Sequence, residues 1–391
     1  MKKIFFAFLF AALFAAISVL VGDTRAYAAD IDDYVEPDEG AVLCMPDVYE
    51  TAPNDCLPLG PSITLKEMKE NGVQLPYESL VYDAPAYELT FVPYLYGQVA
   101  NPGAPMFTSK EAAAAGRPVF RRMEVGFTYV SYSYTEVYND VRVYMVEPGI
   151  WMNANDVKRI GTPNFQGILP TKVPRRGFGW ILQTIETKST PGYQVNDYTG
   201  KWAYRYETLK VLGKEQVGNT LWLQIRPGEW IEERFMGRVT PRSTPPDGVT
   251  GDRWIDVNLY EQTIAVYENG KIVFATLISS GVDPFWTRPG TFQVYDMLET
   301  TPMSGAFEAD RSDYYYLQDV PWTLYFDEAR AIHGAYWHTF YGYERSHGCV
   351  NMSPGDARWL FNWAQVGDWV HVWDPSGRTP EDPSLYGSGG A

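Results

Sequence analysis

Alternation of apolar and polar side chains at every second position dominates this chain and is clearest from Arg253 onward. In "WIDVNLYEQTIAVYENGKIVFATLI" Ile255, Val257 and Leu259 fall on one face, and two β-rich runs then meet at Asn269-Gly270. Period two marks strands, and Asn-Gly tolerates positive φ at both positions of a type I′ turn, so the pair predicts a hairpin. Further short strands are predicted at "GTFQVY", "WTLYF", "RAIHG" and "WVHVW". One helix interrupts them: Ser353 caps it, Pro354 lies in its first turn, Asp356 is its acidic third position, and Ala357, Leu360, Phe361 and Ala364 form its apolar stripe. The stretch "YDMLETTPMSGAFEADRSDYYYLQD", between Val294 and Val320, lacks apolar periodicity and reads as a long loop. Loops of that length are often lids; a disordered insertion is the other reading.

A repeat precedes this region. "VEPGIWMNANDVKRI" (146–160) and "IRPGEWIEERFMGRV" (225–239) place Pro148 and Pro227, Trp151 and Trp230, and Arg159 and Arg238 each 79 positions apart. Upstream, "TYVSYSYTEVYNDVRVYMV" and "ETLKVLGKEQVGNTLWLQI" align with their turns in register, so each unit predicts a β-meander. The two units resemble the bacterial Src-homology-type β-barrels that flank cell-wall enzymes. Their aromatics either bind a substrate or fill small cores; for most of them packing is the reading favoured. Pro-rich breaks set the boundaries. The expected order is a signal peptide 1–28, a Pro-rich segment 29–79, β-repeats 80–165 and 175–240, a linker 241–252, a catalytic domain 253–374 and a flexible tail 375–391. The fold class expected is therefore mainly β: a sandwich with one short helix, preceded by two small barrels.

Composition narrows the function. Of 391 residues 45% are hydrophobic and 20% charged, enough for a sizeable core, and a formal charge of −16 repels nucleic acid, so no nucleic-acid partner is expected. The opening "MKKIFFAFLFAALFAAISVLVGDTRAYAAD" joins basic Lys2 and Lys3 to an apolar run and a small-residue ending, a signal-peptide pattern cleaved after Ala28 or Ala29. A retained anchor is the alternative, because the apolar run approaches spanning length. Either way the remainder lies outside the cytoplasm, secreted into the cell envelope, and after cleavage no stable membrane association is expected.

Export changes the meaning of the three cysteines. Cys44 and Cys56 sit close together in "CMPDVYETAPNDC", where an oxidising compartment favours a disulfide. Cys349 is then unpaired, unless one of the first two bonds it instead. It lies in "RSHGCVNM", just before the Ser353 helix, and twelve residues lie between His333 and Ser346. A thiol suits acyl chemistry but needs a base beside it, because a free cysteine is only a few per cent thiolate at neutral pH. His333, from a separate strand, can meet Cys349 across the sheet. His347 is adjacent in sequence but poorly directed, His338 is a weaker candidate, and His371 in "VHVW" reads as an ordinary strand residue. The Gly348 and Cys349 amides could face an oxyanion. Zinc held by His333, His338, His347 and Cys349 is the rival, but the spacing fits no common zinc pattern; no metal or cofactor is expected.

The segment "VPWTLYFDEARAIHGAYWHTFYGYERSHGCVNMSPGDARWLFNW" resembles the active-site region of the L,D-transpeptidases, built on the YkuD-type catalytic domain, and the likeness extends over about 253–374. The resemblance implies that Cys349 attacks the carbonyl between the third and fourth residues of a peptidoglycan tetrapeptide stem and expels the terminal D-amino acid. It implies His333 as base, oriented by the Gly334 carbonyl, and Gly348 and Cys349 amides as the oxyanion hole. Ser346, His347 and Asn351 would support the donor peptide, and Trp337 or Tyr325 would line the cleft. The acyl group would pass to an amine of a neighbouring stem, giving a 3→3 cross-link, or to water. The alternatives are a non-catalytic wall-binding protein using the two repeats and an L,D-carboxypeptidase.

Overall fold

In a computed structural model the described residues are 79–306 and 308–387, with Ile63, Lys66 and Glu70. They belong almost wholly to one compact unit, Glu67–Ala391. The leader, its cleavage site and the Cys44 and Cys56 pairing lie outside the described residues.

Apolar alternation from Arg253 onward builds a five-stranded sheet in the order Lys271–Leu277, Thr263–Glu268, Arg253–Asn258, Trp369–Trp373, Gly290–Gln293. Asn269 and Gly270 turn its hairpin with φ of 53° and 71°, the positive pair a type I′ turn requires. Both faces of this sheet are covered. Ile255, Val257, Ile264, Val266 and Phe274 face one core with Leu324, Ile332, Val350 and Met352, whereas Trp254, Ala265, Tyr267 and Leu277 face a second core with Phe178, Trp180 and Tyr341. The second repeat therefore packs directly on the back of this five-stranded sheet. Arg238 fastens it there through Glu261, 2.5 Å away and itself almost buried.

The helix Pro354–Trp363 caps the first core with Ala357 and Leu360, and Ser353 Oγ accepts from the Asp356 amide. Both carboxylate oxygens of buried Asp356 accept from the Gly167 amide (2.9 and 3.1 Å), and one also accepts from Thr276 Oγ1 at 2.5 Å. Only glycine fits at 167, because a Cβ there would stand 2.2 Å from the Ala275 carbonyl oxygen. The Pro-rich stretch between the repeats is thus locked to the sheet and to the helix.

The sequence repeat has a structural counterpart. Tyr134–Tyr138, Val141–Glu147, Ile150–Asn153, the 3-10 turn Ala154–Asp156 and Val157–Ile160 recur as Gly213–Val217, Thr220–Arg226, Glu229–Glu232, Glu233–Phe235 and Met236–Val239. Gly149 and Gly228 make the equivalent tight turns at φ of 75° and 64°.

Three expectations need correction. The span 80–165 is not self-contained: its strands Leu95–Val99, Phe127–Tyr132 and Val157–Ile160 continue a seven-stranded sheet whose other members lie within 253–374, with Phe127, Thr128 and Tyr129 pairing in parallel with Tyr315, Tyr316 and Leu317. The supposed loop after Val294 is a long antiparallel hairpin, Asp296–Gly305 against Tyr315–Asp327. Threonine and tyrosine carry its strand preference without an apolar period. The tail is ordered through Gly387: Asp374 Oδ2 accepts from the Thr379 amide and hydroxyl, the Arg330 guanidinium stacks over Tyr386 at 5.3 Å, and Arg330 Nη2 donates to Gly387 O at 2.9 Å.

Candidate active site

Two short parallel strands, Arg330–Gly334 and Val350–Met352, set the site. Their register pairs Ile332 with Val350, His333 with Asn351 and Gly334 with Met352. Side chains alternate across a strand. Ile332, Val350 and Met352 therefore enter the core, while His333, Cys349 and Asn351 turn to the opposite side and line a pocket of about 390 Å³.

The loop that delivers Cys349 is clamped along its length. Tyr336 stacks on Tyr96 at 3.6 Å and donates to Gln318 O, and Tyr341 donates to Ala335 O at 3.0 Å. Ser346 Oγ donates to Cys349 O (2.5 Å) and accepts from the Gly348 amide (3.1 Å), while Thr287 Oγ1 donates to Gly348 O (2.8 Å). Gly348 has φ of 120°, a conformation that strains any residue with a Cβ. The Gly348 N–H was expected to face an oxyanion; it is instead held by Ser346, because the tight turn brings that hydroxyl under it.

Cys349 is the free cysteine among the described residues and is 6% exposed; its thiol points toward Ala329 O at 3.8 Å. Burial pushes the thiol up to about 11, against the pull of the Ala331 amide and of the Arg330 charge. His333, 2% exposed, is pushed down to about 4 by burial, opposed by the Gly334 carbonyl 3.5 Å from its Nδ1. Each shift favours the uncharged form, so the resting pair is thiol and neutral imidazole. A thiol with its pKa near 11 gains thiolate tenfold per pH unit from 7 to 10. Alkylation of Cys349 by iodoacetamide should therefore climb across that whole range, and a plateau near neutrality would show an ion pair instead.

The remaining residues divide. Ser346, His347, Asn351 and Trp337 line the pocket with the reacting pair. His347 is an aromatic wall, stacked on Tyr315 at 5.5 Å and tilted against Phe285 at 4.9 Å. Tyr325 lies off the lining and packs against the cluster that holds Cys349. His371 is a strand residue whose Nδ1 meets Thr291 Oγ1 at 3.1 Å. Sequence reasoning missed Phe127, Met303, Tyr315 and Leu317, which complete the apolar wall, and Arg345 at the mouth. The "DYYYLQD" alternation carried a signal for Tyr315 and Leu317; nothing local marked Phe127. Among the described residues no group of three or more His, Cys, Asp or Glu converges as a metal site, and no helix is long and apolar enough to cross a membrane.

Buried thiol, imidazole on the adjoining strand and a partly apolar cleft together suit acyl transfer from an uncharged peptide carbonyl. Comparisons with known proteins agree with the resemblance read from the motif. Residues 252–372 match the family described as YkuD, the L,D-transpeptidase catalytic domain. A curated relative, L,D-transpeptidase 1 of Mycobacterium tuberculosis, is 29% identical over 168 residues, covering 37% of this chain and 65% of its own length. This chain thus spans less than two thirds of that relative. Among solved structures, the catalytic domain of the E. faecium L,D-transpeptidase is 30% identical with a TM-score of 0.29, covering 32% of this chain and 100% of that one. The L,D-transpeptidase (Yku) of Stackebrandtia nassauensis is 26% identical with a TM-score of 0.26, covering 34% and 59%.

Proposed function

We propose that this protein is an exported, cysteine-dependent L,D-transpeptidase acting on peptidoglycan stem peptides in the cell envelope. The observation that carries the reading is the register of Arg330–Gly334 with Val350–Met352, which turns His333 and Cys349 into one pocket inside the region that matches the family.

A tetrapeptide stem docks with its third-residue carbonyl beside Sγ. His333 takes the thiol proton as sulfur attacks; the tetrahedral adduct collapses, the C–N bond breaks, and His333 returns that proton to the departing D-amino acid amine. The thioester then meets a stem amine, which gives its own proton to His333 as it attacks, and the cross-linked product leaves with the thiol restored by that proton. Water in place of the amine gives a trimmed stem. Burial of both groups keeps the nucleophile quiet until substrate arrives, which suits an enzyme exposed to the outside.

The first repeat contributes to this chemistry. Phe127 lines the pocket together with Ser346, His347 and Cys349 of the motif loop and is part of the strand paired with Tyr315–Leu317. Phe127→Ala should raise KM for the stem by about tenfold with a smaller change in kcat, the loss of one aromatic contact that serves bound substrate and transition state alike. An unchanged KM would remove the repeat from the site.

The deciding assay incubates the protein with a tetrapeptide stem and follows products by mass spectrometry. Loss of the fourth residue with formation of dimers supports the reading. Loss without dimers identifies the hydrolase, and neither product from folded protein rules out acyl transfer.

A further inference from the structure

A second cleft, of about 320 Å³, adjoins the reaction pocket and shares Trp337, His338 and Arg345 with it. Ile160 and Gly161, from the end of the first repeat, line it with Phe340, whereas Cys349 and His333 line the reaction pocket alone. The second repeat holds the segment shared by the two. Tyr206 Oη donates to Thr339 O (2.5 Å) and accepts from the Tyr341 amide (3.1 Å), and Arg205 Nη2 donates to Thr339 O at 2.8 Å.

Two guanidinium groups lie over the Phe340 ring, Arg205 at 4.8 Å and Arg345 at 4.9 Å from its centre. Their charges are thus within about 10 Å of each other, a screening length at moderate ionic strength. Among the described residues neither has a carboxylate within ion-pair distance, whereas Arg226, Arg238, Arg253, Arg288 and Arg330 each hold one. Two unpaired cations side by side are notable in a chain of formal charge −16. The shared ring attracts both, but their mutual repulsion is left for an anion to neutralise. No carboxylate lines either cleft, so an anion there meets only positive and neutral groups. The Arg345 charge is felt inside the pocket: burial first and Arg345 second push His338 down to about 3.

We propose that the second cleft seats the acceptor stem, and that Arg345, reinforced by Arg205, pairs with a carboxylate of that stem. This rests on the acyl-transfer reading above. The donor's scissile carbonyl must reach Sγ and so occupies the pocket that Cys349 lines. A second stem has the adjoining cleft, which meets the first at Trp337, His338 and Arg345. The same positive charge disfavours an ammonium and so favours the neutral amine, the form that attacks a thioester. The acceptor class that follows is an anionic stem, and a stem with amidated carboxylates is a poor acceptor.

A tetrapeptide stem with its amines acetylated can only donate, and a tripeptide stem can only accept. With this pair, KM for the tripeptide should rise about tenfold when its carboxylates are amidated, the scale of one charge-assisted contact. Arg345→Gln should erase that preference, Arg345→Lys should keep most of it, and Arg205→Gln should reduce it to about threefold. The wild-type preference should also shrink as NaCl is raised. Equal use of acid and amide, a preference untouched by salt, or an Arg345→Gln protein that still favours the acid would each overturn the proposal. Sensitivity to amidation of the donor's terminal carboxylate instead of the acceptor's would overturn it as well, by moving the anion to the leaving residue. Calorimetric titration of the tripeptide onto Cys349→Ala reads the site without turnover. Tighter binding of acid than amide there, lost when Arg345→Gln is added, supports the site; equal binding sinks it. A wild type that transfers nothing yet binds in this carboxylate-dependent way would refute the enzyme reading alone.

Discussion

Cys349→Ala should abolish release of the fourth stem residue, lowering the rate by about 10⁴-fold or more, because Cys349 is the thiol that shares the pocket with His333 and the Ser346 hydroxyl beside it is already bonded to Cys349 O. Fold should survive the change. The side chain loses one sulfur from a cluster otherwise made of Tyr96, Tyr129, Met303, Tyr315, Leu317, Val320, Ala331 and Tyr336, a cost of about 1 kcal/mol. Thermal unfolding and mass spectrometry of the stem products, run together on variant and wild type, separate the two effects. Cys349→Ser should be equally inactive, since a hydroxyl is far harder to deprotonate than a thiol in the same buried place. Full activity in either variant would end the mechanism.

Asp327→Ala should be the most damaging substitution to stability near the site. One carboxylate there holds two guanidinium groups: Arg288 through Nε at 2.9 Å and a second, shorter bond, and Arg330 through Nη1 at 3.0 Å. Arg330 is 4% exposed, so its charge has little water to turn to. Removing the partner of a buried ion pair costs about 3–5 kcal/mol, far more than the pair itself contributes over an apolar replacement. Tm should fall by about 5 °C, the shift expected for a unit of this size. Differential scanning calorimetry reads it directly, and an unchanged Tm would show that Arg330 finds another partner. The damage should reach the nucleophile as well. Asp327 and Arg330 close the turn from which Ala329 O faces Sγ, and the Arg330 charge stabilises the thiolate.

What could be read from the chain were features set by neighbouring residues. The Asn269-Gly270 turn and the Ser353 cap are local chemistry, decided within a few positions. The family motif is likewise local, and the comparisons support the resemblance it carried. Two kinds of feature escaped. The hairpin of 296–327 hides because its first strand is mostly exposed and the alternation at the start of its buried second strand is carried by tyrosine rather than by an aliphatic period. The pairing of Phe127 with Tyr315 joins segments nearly half the chain apart, and no local pattern specifies such a partner. The Gly348 amide illustrates a third limit: its donor was legible, but the hydroxyl that takes it depends on the turn geometry at φ of 120°.

That parallel join has a bearing on how the molecule could be divided or recombined. A fragment starting at residue 252 would encode every group assigned to chemistry at the thiol, yet Tyr315–Leu317 would become a bare edge, an invitation to add a foreign strand and aggregate. Grafting a different module in front would restore solubility only if it supplied a matching strand in the same direction. The amino-terminal repeat and the enzyme-like region therefore share one sheet, and a cut between them exposes that edge even where every active-site residue is kept.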